Sequence, residues 1–135
     1  MLVRSAAAPG GWESDFTETA NSEGIRYTYD VSDDVSVEVE ALQWQHGEDT
    51  RCEVLVMTAE RRDRVHKNVF EPVTCEDMAE ATSVAEGLMH HITEIVDEDG
   101  SEQMTGDAGL VERMATVVDE TKKSRRSRRR VEPAV

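Results

Sequence analysis

The apolar residues of this chain change period once, near Pro72, and that change limits the fold more than any other feature. From Ile25 they recur at every second position: Ile25, Tyr27 and Tyr29 alternate with Arg26, Thr28 and Asp30, and Val35, Val37 and Val39 alternate with Ser36, Glu38 and Glu40. After Thr74 they fall at helical spacing, through Met78, Ala81, Ala85, Leu88, Met89, Ile92, Ile95 and Val96. A period of two sends side chains to alternate faces of a strand, whereas a period of 3.6 draws one stripe along a helix. Strands that precede helices without interleaving point to an α+β domain with an antiparallel sheet.

Turn chemistry divides the first part. Ser32-Asp33-Asp34 closes a strand over 25–30 and opens a second at Val35 whose Glu38 and Glu40 face solvent. The phase slips near Ala41, after which Leu42 and Trp44 carry the apolar positions, and a β-bulge is expected there. HGEDT (46–50) reads as a hairpin connection, and Cys52, Val54 and Val56 with Leu55 and Met57 form a third strand, apolar on both sides and therefore central. Glu60 to Asp63 turns the chain into a fourth, more polar strand over Val65 to Phe70, which Pro72 stops.

Thr74 with Asp77 three residues later resembles a capping box and predicts one long amphipathic helix over 75–97. A polar connector, DEDGSEQMTGDAG, leads to a shorter helix from about Asp107 that presents Leu110, Val111, Met114, Val117 and Val118. The expected fold is thus a four-stranded antiparallel β-meander packed on one long helix, with a shorter C-terminal helix. Flexible ends flank this domain: 1–23 as an N-terminal arm, 24–121 as the α+β body, and 122–135 as a Lys/Arg-rich tail. Within the arm, Trp12 and Phe16 lie four apart, so one helical turn would set both on one side, as a lid on the core or a docking peptide for another subunit.

Charge sets the functional question. The tail carries Lys122, Lys123, Arg125, Arg126, Arg128, Arg129 and Arg130, in a chain whose formal net charge is −14. Setting aside those seven cations and Glu132 leaves eight bases and 28 acids, an excess of about 20 negative charges over the rest of the chain. With 12 Arg against three Lys and only 4% aromatic residues, the composition resembles that of proteins from salt-in halophiles. The physical reason is that dense carboxylates keep a surface hydrated, while their mutual repulsion is tolerable when the Debye length shrinks to about 3 Å near 1 M salt.

Several classes of chemistry lack a signature. Cys52 and Cys75 belong to no CxxC pair and read as reduced structural thiols, with no zinc ribbon or disulfide framework. Cys75 nears the helix N-terminus, but Glu76 and Asp77 beside it oppose thiolate formation. Glu86, His90 and Glu94 share one helix face, as a solvated polar face also does, and DEDGSE departs from the EF-hand spacing. There is no GxSxG, P-loop, HExxH or GxGxxG, and no cofactor is expected. No uncharged run approaches the roughly 18 residues that span a bilayer, so the expected setting is the cytoplasm or the interior of a viral particle, without membrane contact.

Two basic groups remain as candidate contacts. One is the tail; the other is ERRDRVHK (60–67), where Arg61, Arg62, Arg64 and Lys67 make up half of the body's eight bases. Together they suggest a non-catalytic interaction or assembly protein docking on nucleic acid or on an acidic protein partner, with oligomers allowed. Salt constrains the first option: seven phosphate contacts give a slope of about −6 in log K against log salt, so a tenfold rise in salt removes about six decades of affinity. Arginine forks in a preformed, partly dehydrated receptor escape much of that loss. The competing expectation is a small ligand-binding or enzymatic domain with a pocket between sheet and helix, in which Cys52, His66 or His91 would converge.

Overall fold

The computed structural model describes residues 10–61, 64–99 and 107–131, with side chains excepted at 99, 107–108 and 125–131. The chain forms β1 (Trp12–Glu18), β2 (Ser22–Asp30), β3 (Val35–His46), β4 (Asp49–Arg61), β5 (Val65–Val69), β6 (Val73–Cys75), α1 (Met78–Asp99) and α2 (Asp107–Val131). Strands β1 to β5 make an antiparallel meander in chain order, and β6 pairs with β4 beyond β5. The α+β class and the antiparallel meander match the sequence pattern. The strand count and the single dominant helix need correction: β1 is added before the expected strands and β6 after them, the latter off the meander on β4, and α2, at 25 residues, is longer than the 22-residue α1.

The first added strand lies where a flexible arm is expected. Trp12 to Glu18 pairs with Tyr29 to Glu23, so Trp12 and Phe16 sit on a strand rather than on a helical turn. A spacing of four puts two residues on one side under either period, which is why the pair alone does not distinguish the two. Trp12 is buried, stacks on Tyr29 with ring centroids 5.1 Å apart, and donates its indole N–H to Thr93 Oγ1 of α1 at 2.8 Å. Residues 1–9 lie outside the described residues.

The expected bulge near Ala41 is absent. Pairing runs one to one from Ser22↔Trp44 to Asp30↔Ser36, and from Val35↔Glu60 to His46↔Asp49. Leu42 and Trp44 share the face of Glu38 and Glu40, while Val35, Val37, Val39 and Ala41 share the other, so β3 has apolar side chains on both faces and keeps one phase. The register shifts farther on. Met57 pairs with Val69, but Val54 pairs with Val73, so one extra residue enters the edge strand around Phe70 to Pro72, where proline has no N–H to donate. The β3–β4 hairpin closes through Gly47-Glu48 with φ +68° at Gly47, the conformation a two-residue primed turn requires at its first position.

Both helices cover the same face of the sheet, α1 over β3, β4 and β6, and α2 over β4, β6 and α1. Val37, Val39, Val54, Val56 and Val73 meet Ala81, Ala85, Leu88, Met89 and Ile92 of α1 and Met114 and Val117 of α2, none more than 2% exposed. Each large side chain buried there contributes about 1.5–3 kcal/mol. Helix α1 starts three residues later than the Thr74 cap predicts. Asp77 Oδ1 accepts the Glu80 N–H at 2.8 Å and Glu80 Oε1 accepts the Glu76 N–H at 2.6 Å, a reciprocal cap that leaves Thr74 in β6.

Candidate functional site

The cationic tail is a continuation of α2. Leu110, Met114, Val117 and Val118 form its buried stripe, which ends at the half-buried Thr121 just before the first cation. The helix then continues through residues 122–131 to Val131, for about 15 Å at 1.5 Å per residue. Arginine is a good helix former and cations suit the negative end of the helix dipole, so the composition that reads as a tail also extends a helix. Where a tail is expected from 122, the backbone continues as helix up to 131; residues 132–135 lie outside the described residues.

Two of the tail's cations have partners within the chain. Lys122 Nζ reaches Glu71 Oε2 at 2.9 Å, tying α2 to the connection between β5 and β6. Lys123 Nζ lies 3.2 Å from Asp119 Oδ2, one helical turn back. At about 100° per residue, the seven cationic positions of 122–130 fall within an arc of about 220°, and the positions of Ser124 and Ser127 take the remainder. The side chains of Arg125, Arg126, Arg128, Arg129 and Arg130 lie outside the described ones.

The second basic group is at the other end of β5. Arg61 and Arg64 are exposed where β4 turns into β5, Lys67 is exposed at the middle of β5, and Arg62 lies outside the described residues. Five strand residues, about 17 Å, separate this turn from the Glu71 end to which Lys122 is tied. The two basic groups thus bracket one edge strand. Lys67 Nζ is 3.8 Å from Glu38 Oε2.

The open face of the sheet departs from the expected solvent-facing carboxylates. Glu38 and Glu40 are only 9% and 6% exposed, because β2 and β4 flank them and Leu55 and Met57 are their register partners. Arg26 spans the two, with Nε 3.6 Å from Glu38 Oε1 and Nη2 3.7 Å from Glu40 Oε1, and Thr17 Oγ1 donates to Glu40 Oε2 at 3.0 Å. Toward the β3–β4 hairpin, Trp44 donates to Glu53 Oε1 at 3.0 Å, with the Arg51 guanidinium 5.9 Å from its ring centroid and His46 edge-on at 5.5 Å.

The residues that a pocket would bring together occupy three separate places. His66 is exposed on β5, His91 lines a groove between α1 and α2, and Cys52 is buried under the helices. Cys52 is the direct register partner of Cys75; neither is in a disulfide, and burial, then the charge of Asp77, pushes the Cys52 thiol above its ordinary pKa. The Tyr27 phenol is likewise pushed up, first by burial and then by Glu86, and its hydroxyl has no hydrogen-bond partner among the described residues. The α1–α2 groove, about 380 Å³, is open and mixed in character, with Ser83, Val84, Leu88 and His91 of α1 beside Glu120 and Thr121 of α2. Among the described residues no three His, Cys, Asp or Glu side chains gather as metal ligands, and no helix is long and apolar enough to cross a membrane.

What the sequence reading misses is the exposed edge of β1, WESDFTE, whose alternation of Trp12, Ser14 and Phe16 with Glu13, Asp15 and Thr17 is the available signal. Comparisons with protein-family models, curated proteins and solved structures find no match for this chain.

Proposed function

We propose that this protein is a non-catalytic assembly component that docks through the cationic end of α2 onto a preformed acidic receptor, carboxylates of a protein or phosphates of a nucleic acid. One observation carries the reading: α2 runs as a single helix from its packed half into its cationic half. A helix fixed to the body at Leu110, Met114, Val117 and Val118, and tied at Lys122 to Glu71, presents the five arginine positions on a frame already ordered before binding. Less ordering entropy is then lost on docking, and arginine forks gain more from fixed geometry than from diffuse attraction. The composition of a molar-salt protein favours the same reading, since screening removes long-range attraction and leaves short oriented contacts. Arg61, Arg62, Arg64 and Lys67 supply an auxiliary contact at the far end of β5.

A ligand-binding or enzymatic role has weaker support, because apolar side chains fill the sheet–helix interface where its pocket is expected. Truncation after Thr121 tests the docking role. The truncated chain is expected to keep its thermal unfolding transition, since the buried positions of α2 among the described side chains all precede the cut, and to lose retention of its partner at native salt. Unchanged retention removes α2's end from the mechanism.

A further inference from the structure

The meander ends in two strands, β1 and β5, whose outer edges pair with no other strand among the described residues. They carry opposite charge. Strand β1 exposes Glu13, Asp15 and Glu18 and has no base; β5 exposes all five of its residues, has Lys67 at its centre and no acid, and is preceded by exposed Arg61 and Arg64. Both edges also expose apolar side chains. Phe16, Val65 and Val69, at 57%, 54% and 61% exposed, are the large hydrophobic residues left open among the described ones, and all three lie on these two strands.

Unpaired strand edges are templates for another strand, and isolated proteins ordinarily blunt them. Here the charges select between pairings. A twofold β5–β5 pair sets Lys67 against Lys67 with Arg61 and Arg64 nearby, and a twofold β1–β1 pair sets acid against acid; like charges directly opposite are destabilising. The unlike pairing has no such conflict. Asp15 and Lys67 are the middle residues of their strands and lie on the same, open face of the sheet, so they oppose each other when the strands are centred.

We propose that β1 of one copy adds to the β5 edge of a second copy, extending the sheet head to tail. In the meander β1 and β5 run in the same direction, so a copy advanced along the sheet pairs β1 parallel to β5 and keeps every helix on one side. The contact is heterologous, so each added copy offers the same two edges again and the array grows or closes into a ring. Main-chain hydrogen bonds supply the affinity, and Asp15 against Lys67 sets the choice of edge. This contact is independent of the docking role of α2; if both hold, the array displays many cationic helix ends on one side.

Sedimentation of Asp15→Lys and Lys67→Glu, singly and mixed, tests it at the lowest salt that keeps the chain folded. The expected result is that the unaltered chain self-associates at about 0.1 mM. Each variant alone, with an unchanged circular dichroism spectrum, should associate at least tenfold more weakly, because its edges now carry like charge. An equimolar mixture should recover the association, because each variant then meets its complement. If Lys67→Glu fails to fold beside Glu38, Arg64→Glu takes its place in the same mixing experiment. A monomeric unaltered chain, a variant that associates as well as the unaltered one, or a mixture that stays dissociated overturns the proposal. Truncation after Thr121 leaves this association unchanged, so its failure is distinct from failure of docking through α2.

Discussion

The two faces of the sheet hold themselves together by different physics. On the helix-covered face, valines of β3, β4 and β6 meet small and aliphatic residues of α1 and α2, and little that is polar is buried. On the open face, β3 buries Glu38 and Glu40 with no second layer above them among the described residues, using Arg26, Lys67 and Thr17 as partners. The first face is complete within one chain. The second ends in charged, partly apolar edges, and the features that suggest partners lie on those edges and on the end of α2.

The largest effect should come from the covered face. Leu88→Asp places a carboxylate among apolar side chains with no partner, and the expected result is loss of the cooperative transition in thermal or urea unfolding. The milder Ile92→Ala should cost about 2–5 kcal/mol. On the open face the losses should be smaller and salt-sensitive. Arg26→Leu leaves the two buried carboxylates without their shared cation, for an expected loss of about 1–3 kcal/mol in urea unfolding. A further Glu40→Gln change should restore part of it. Equal losses from Leu88→Asp and Arg26→Leu would erase the distinction between the faces.

Alkaline pH sharpens the comparison further. Cys52 and Tyr27, both on the covered face, have pKa values raised above their ordinary 9.0 and 10.0, so the unfolded chain loses these protons first as pH rises. Stability from these groups is full below about pH 9 and declines as pH climbs through the raised values. Tyr27→Phe should remove the tyrosine part of that decline and be neutral to slightly stabilising at pH 7, because it deletes a buried hydroxyl that lacks a partner. The smallest effect belongs to Lys122→Ala. Its partner Glu71 is 80% exposed, so the pair should contribute no more than about 1 kcal/mol to unfolding.

Period carried most of the fold into the sequence. The switch from Val35, Val37 and Val39 to Leu88, Met89, Ile92 and Val96 separates sheet from helix, and Gly47 marks the hairpin. Where one signal served two structures, the reading failed. Trp12 and Phe16 fit a strand as well as a helical turn; Leu42 and Trp44 imitated a change of phase because both faces of β3 carry apolar residues. Thr74 and Asp77 can each cap a helix, and the choice depends on β6 pairing with β4, a long-range contact. Burial of Glu38 and Glu40 was not legible because it depends on which side chains of β2 and β4 stand beside them. The cationic segment was visible as composition but not as helix, since charge density is a signature of solvated tails as much as of dipole-stabilised helix ends.

The docking role rests on oriented arginine contacts, and the most direct measurement is retention of the partner at native salt by a chain in which Arg125, Arg126, Arg128, Arg129 and Arg130 are all replaced by Lys. Charge and helix propensity are preserved, while the planar fork is lost. The account predicts at least a tenfold loss of retention at molar salt, with nuclease treatment of the parallel unaltered sample deciding whether the receptor is protein or nucleic acid. A lysine chain that holds its partner as firmly as the arginine chain would contradict it.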